Sequence, residues 1–302
     1  MEGLPPGEFP PAKTKLKPAA NGLPGLVPPQ ILMILGIFSV QFGAAIATRL
    51  FSALGPTGTV FYRLAFSALL LMVIYRPKLT PEVRAHFSEI FVLGATIGMM
   101  NLCFYQSIAR IPLGVSVAIE FVGPLLVGVA TSRRPLDFLW LGLAAAGIAF
   151  FAGDIGHTLD PAGVTFSLIA AAGWAGFIIA GKRVGSRIAG GDGLALAIAI
   201  GALCVLPVYL VGGDAGRGLP LVPLIGAFAV AMLSTALPMS FDYIAIQRLP
   251  TRVYAVLATL EPVVATGLGV ALLAQPLNLS MAAGIALVSC AALGVSLFDS
   301  GH

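Results

Sequence analysis

Four ionisable side chains sit inside runs that are otherwise apolar: Arg63, Glu120, Asp242 and Glu261. A charge within a membrane span is costly, so each is by default a candidate for transport or proton movement. Glu120 shares a helical face with Ser116 and Pro124, each one turn away. Pro124 has no N–H, which frees the carbonyl of Glu120 and bends the helix there. A carboxyl kept out of water can take up and release a proton, unless a cation holds it ionised. Glu261 stands directly before Pro262 and shares a face with Tyr254 and Ala258, so the same two readings apply to it. Asp242 lies one turn beyond Ser234-Thr235-Ala236-Leu237-Pro238 and adjoins Tyr243; it is either a proton site or a solvated helix end. Arg63 either binds a substrate carboxylate or neutralises a glutamate.

Uncharged polar groups accompany them. Asn101 and Tyr105 are spaced i, i+4 and so face one way. Gln41 and Trp174 are isolated in helices of small residues. With Ser116, Ser234, Thr235, Tyr243 and Tyr254 they are candidates for a cavity wall, against the alternative of single hydrogen bonds between helices. Pro124, Pro238 and Pro262 are the expected kinks.

The elements that must hold these groups are membrane helices. Hydrophobic residues make up 58% of the 302 residues and charged ones only 10%, with mean hydropathy +0.97. A soluble domain carries roughly a quarter charged residues. Ten apolar segments are predicted, near 29–48, 57–75, 89–109, 113–131, 137–153, 163–181, 194–212, 221–241, 252–273 and 279–298. Residues 1–28 read as a disordered cytoplasmic tail with Lys13, Lys15 and Lys17, rather than as a signal peptide. Cys103, Cys204 and Cys290 all lie in apolar runs without CxxC spacing, so no metal or disulfide is expected.

The net charge of +4 is not gathered into a nucleic-acid patch, because the basic residues fall in short loops. With a cytoplasmic N-terminus, thirteen of the seventeen Lys and Arg lie on that side, among them Arg76, Lys78, Arg133, Arg134, Lys182, Arg183, Arg187, Arg248 and Arg252. Arg49, Arg110 and Arg217 fall outside. Ten spans place both termini in the cytoplasm.

The chain also repeats itself. Arg110, Pro112, Val115 and Pro124 recur as Arg248, Pro250, Val253 and Pro262, at a constant offset of 138. Five spans per half is an odd number, so the second copy must run inverted, as in carriers that work by alternating access. The expected organisation is a first five-helix repeat over 29–153, a linker over 154–162, a second repeat over 163–298 and a tail over 299–302. The two carboxylates do not superpose: Glu120 aligns with Ala258, and Glu261 with Gly123.

These residues resemble the EamA-type drug/metabolite transporters, and more narrowly the threonine/homoserine exporter group, from about residue 30 to 298. The stretches that carry the likeness include Ser39-Val-Gln41-Phe-Gly43-Ala44, Tyr62-Arg63-Leu64-Ala65, Val115 to Pro124, Ser132 to Phe138, Ser234 to Pro238, Arg248 to Arg252 and Glu261-Pro262. The resemblance implies an all-α inner-membrane protein of ten helices in two inverted repeats. It implies export of small neutral amino acids in exchange for protons, with no cofactor beyond the proton gradient. A central cavity would be walled by Gln41, Asn101, Tyr105, Glu120, Trp174, Thr235, Tyr254 and Glu261, with Glu120, Glu261 and Asp242 as proton-coupling candidates. Partners would be the bilayer and the substrate, and the protein a monomer or homodimer. Where related transporters carry Gly-Glu before the tenth helix, this chain has Ala274-Gln275. Purines, aromatic amino acids and drugs are the alternative cargo. A membrane enzyme would need a nucleophile or metal set, and no HExxH, GxSxG or P-loop pattern is present.

Overall fold

The computed structural model describes residues 27–131, 135–152, 159–188, 191–212, 215, 221–238, 241, 249, 253 and 257–298. Every described element is helical. Asp242, Tyr243 and Tyr254 lie outside the described residues, as do most of the expected tails and the linker stretch 154–158.

The first two predicted segments form one helical element, α1 (Pro29–Tyr75), with a break where Gly55 adopts φ 69, ψ 163 ahead of Pro56. Only glycine takes that conformation without strain. A straight helix of 47 residues would run about 70 Å, more than twice the ~30 Å of a bilayer core. The chain instead doubles back at Gly55: Ser39 and Arg63 both reach neighbouring carbonyls, those of Leu233 and Ser234. On one straight helix they would stand about 36 Å apart.

A short helix, α2 (Pro81–Ala85), occupies part of what was expected as loop; Thr80 caps it and Pro81 opens it. Next come α3 (Phe87–Ile108), α4 (Leu113–Glu120) and α5 (Val122–Thr131). The single segment expected over 113–131 is thus divided at Phe121, three residues before Pro124. α6 (Pro135–Ala152), α7 (Pro161–Arg187), α8 (Asp192–Val211) and α9 (Leu221–Ala231) follow. α9 continues into a π-helical turn, Met232–Ala236. Beyond it lie α10 (Glu261–Leu273) and α11 (Leu279–Phe298). Thr259, which corresponds to Phe121 in the other copy of the repeat, is also a turn residue just ahead of its helix.

α1, α3, α7, α8, α9 and α10 are apolar along most of their length. Among the described residues, four helices, Pro29–Tyr75, Phe87–Ile108, Pro161–Arg187 and Asp192–Val211, are long and apolar enough to cross a membrane, and five shorter apolar helices accompany them. Large apolar side chains are exposed on many of them, Leu69, Phe91, Leu203, Val222 and Leu279 among them, as a lipid-facing surface requires.

Small residues set the helix spacing. A Cβ added at Gly98 would meet the Gly201 carbonyl at 2.8 Å, and one at Gly201 would meet the Gly94 carbonyl at 3.0 Å. α3 and α8 therefore touch backbone to backbone, the close approach that drives helix association in lipid. Gly98→Leu should lower stability by about 1–3 kcal/mol through overpacking; a fall in unfolding temperature of the detergent-purified protein checks this.

Candidate functional site

A cavity of about 220 Å³ lies between the helices. α1 supplies Val40, Gln41, Ala44 and Arg63; α3 supplies Met100, Asn101, Phe104 and Tyr105; α4 supplies Val117 and Glu120. Trp174 of α7, Ser234 of the π turn and Glu261 at the start of α10 complete the wall.

The π turn explains how Arg63 is held. The Leu237 N–H bonds the Met232 carbonyl, five residues back, so the Leu233 carbonyl loses its usual donor. Pro238 has no N–H to offer the Ser234 carbonyl. Both freed oxygens are taken by α1: Ser39 Oγ donates to the Leu233 carbonyl at 2.7 Å, and Arg63 Nη2 reaches the Ser234 carbonyl at 3.5 Å. Gly43 makes room for this, since any side chain there would run into Ser234.

On its other side, Arg63 Nη1 donates to Asn101 Oδ1 at 2.6 Å and lies 3.5 Å from the Tyr105 hydroxyl. Its guanidinium sits 5.5 Å from the centre of the Tyr105 ring, within cation–π range. The Asn101 amide is itself oriented, with Nδ2 donating to the Ile97 carbonyl at 2.8 Å. The hydrogen-bond partners of Arg63 among the described residues, Asn101, Tyr105 and the Ser234 carbonyl, are neutral, and no ion pair joins it to Glu120 there. Glu120 is 7% exposed. It ends α4 at the break, where the next residue, Phe121, packs edge-on against Trp174 at 5.5 Å.

Most of the sequence-predicted residues thus come together: Gln41, Arg63, Asn101, Tyr105, Glu120, Trp174, Ser234 and Glu261 share one cavity. Two stand behind its wall. Ser116 is fully buried in a triangle of hydroxyls with Ser107 and Ser167, at 2.9 and 3.0 Å, while Ser107 and Ser167 are 2.5 Å apart. That triangle ties α4 to α3 and α7. Thr235 is buried and pairs with Ser67 at 3.0 Å. Ala44, Met100 and Val117 were not anticipated at the wall. Ala44 and Val117 lie three residues from Gln41 and Glu120, a same-face spacing that could have shown them.

The ends of the bundle are also tied. At one end, Arg110 lies 3.7 Å from Asp160 and bonds Gln106, which reaches Thr57 at 2.9 Å. Arg49 donates to the Leu272 carbonyl at 2.6 Å. Gln275 Oε1 accepts the Leu113 N–H at 2.9 Å, so its neutral amide caps the start of α4. At the other end, Arg187 pairs with Glu89 at 2.7 Å.

Helices lined with apolar side chains around a polar, charged cavity define a membrane transporter. Comparison with known proteins agrees. Residues 161–297 match the EamA-like transporter family. The chain is 36% identical to the threonine/homoserine exporter RhtA of Escherichia coli (strain K12) over 273 residues, 89% of this chain and 91% of that one. The RhtA of Salmonella typhimurium (strain LT2) matches to the same extent. A solved crystal structure shares the fold at TM-score 0.58 and 16% identity, covering 87% of this chain and 96% of that chain. The chain belongs to the EamA-like transporter family.

Because Ser116 points away from the cavity, Ser116→Ala should cost about 1 kcal/mol of stability and leave ligand affinity unchanged. Thermal unfolding and a ligand titration on the same preparation check this.

Proposed function

We propose that the protein is an inner-membrane exporter of small neutral amino acids such as threonine and homoserine, driven by proton antiport. The observation that carries the reading is the 36% identity to RhtA over 89% of the chain, joined to a single cavity containing Arg63, Glu120 and Glu261. The architecture in this reading is ten spans in two inverted repeats. It is supported by the offset of 138 between the copies and by the helix interruptions at the corresponding residues Phe121 and Thr259.

Glu120 and Glu261 are the coupling groups of this reading, with Asp242 as a third candidate. Coupling requires a carboxyl whose protonation differs between the two access states. A glutamate at a helix break, inside a cavity that also takes the substrate, meets that requirement. Both termini are assigned to the cytoplasm from the distribution of Lys and Arg. The contacts of Arg110 with Asp160, and of Arg49 with Leu272, then lie on the outer face and support a closed outer gate. A second reading keeps the fold and enlarges the cargo to aromatic amino acids or purines; Phe104, Tyr105 and Trp174 at the wall favour it.

Proteoliposomes loaded with labelled threonine, homoserine and a panel of larger solutes test this. The expected result is efflux of the small amino acids that accelerates when the opposite side is made acidic, because protons then flow against the substrate. Glu120→Gln or Glu261→Gln should retain exchange but lose the response to the gradient. Folded protein that moves none of the small amino acids would contradict the reading.

A further inference from the structure

We infer that Arg63, steered by Asn101, is a carboxylate-binding site, so that the transporter selects its cargo by an acid group. The inference deepens the reading above and rests on it for the identity of the cargo, but not for the site itself.

An arginine inside a bundle of this kind needs compensation for its charge. Here it donates one short hydrogen bond, from Nη1 to Asn101 Oδ1 at 2.6 Å, and makes two long contacts at 3.5 Å. A guanidinium has five N–H donors. Nε is out of contact with water and has no acceptor among the described residues. The Nε and Nη2 edge, which can grip a carboxylate with two parallel hydrogen bonds, is therefore committed only to a distant carbonyl.

The same cavity holds the opposite deficiency. Gln41 is 3% exposed, and its Oε1 has no donor among the described residues. Arg63 and Gln41, the residues that carry this unpaired donor and this unpaired acceptor, line one space with two carboxyls, Glu120 and Glu261. Leaving such groups unpaired is expensive. A ligand with a carboxylate at one end and an N–H or O–H donor at the other satisfies both. An α-amino acid is the simplest such molecule. A purine or a simple amine offers no anion to Arg63.

Asn101 is the positioning residue. Its amide N–H is spent on the Ile97 carbonyl, which turns its oxygen toward Arg63. A neutral oxygen there orients the guanidinium without cancelling its charge. A carboxylate at that position would form a permanent ion pair and remove the attraction for substrate.

The test uses the full-length protein in detergent, with small carboxylates each paired with its own amide: amino acids, 2-hydroxy acids and 2-oxo acids. Binding is read by ligand-dependent thermal stabilisation. The acid should bind about tenfold to a hundredfold more tightly than the amide. Both Arg63→Gln and Asn101→Asp should erase that preference, and Asn101→Asp, which keeps size and supplies a partner for the cation, decides the matter if Arg63→Gln does not fold. Equal binding of acids and amides by the natural protein, no binding by any acid, or a preference that survives in Asn101→Asp overturns the site. If hydroxy or oxo acids bind over their amides and amino acids do not, the site stands and the amino-acid cargo falls.

Discussion

The structure turns on one requirement: polar groups placed in an apolar bundle must find partners within it. The π turn before Pro238 shows how the requirement is met. A shifted helical hydrogen bond and a missing proline N–H leave the carbonyls of Leu233 and Ser234 without helical donors. α1 answers with Ser39 and Arg63. A break in one helix thereby holds a cation in place on another, and that cation sits at the wall of the cavity. The irregular backbone lies where it lines a cavity, as non-helical backbone at membrane depth must.

Two other breaks follow the same logic. Phe121 interrupts the chain between α4 and α5 beside Glu120, and the turn at Thr259 and Leu260 precedes Glu261. Each puts a carboxyl at a helix end, where local backbone is least committed. Around them the bundle is held by close contacts that cost no buried charge. Gly98 and Gly201 join α3 to α8, and the Ser107, Ser116 and Ser167 hydroxyls join α3, α4 and α7. Among the described residues the ion pairs lie at the ends, at Arg110 with Asp160 and at Arg187 with Glu89, where exposed pairs contribute only about 0.2–1 kcal/mol each.

Much of this was legible in the residues. Apolar run length located most of the described helices to within a few positions, although α7 runs six residues past its expected end, and the prolines marked the breaks at Phe121 and before Glu261. The intramembrane charges led to the cavity, because a bilayer leaves a buried Arg or Glu few other places. Tertiary details were not legible. The reversal of α1 just before Pro56 depends on a positive φ at Gly55, which an ordinary loop glycine would equally permit. The π turn has no hydropathy signature of its own, so the partners of Arg63 could not be foreseen. Ser116 shares a face with Glu120 yet turns to Ser107 and Ser167, because α7 packs closely enough there to offer a hydroxyl in place of the cavity. The short α2 did carry a signal, Thr80-Pro81-Glu82, a cap followed by a helix-starting proline.

The central claim is that the space between Gln41, Arg63 and Glu120 is where the transported molecule sits. Substrate protection tests it most directly. In protein with Cys103, Cys204 and Cys290 replaced by alanine, Ala44→Cys places one thiol on the cavity wall, and Ser186→Cys, on an exposed position at the Arg187 end, serves as the reference. The account predicts that a saturating concentration of the transported amino acid slows thiol labelling at position 44 and leaves labelling at position 186 unchanged. Unchanged labelling at position 44, in protein that still transports, would contradict it.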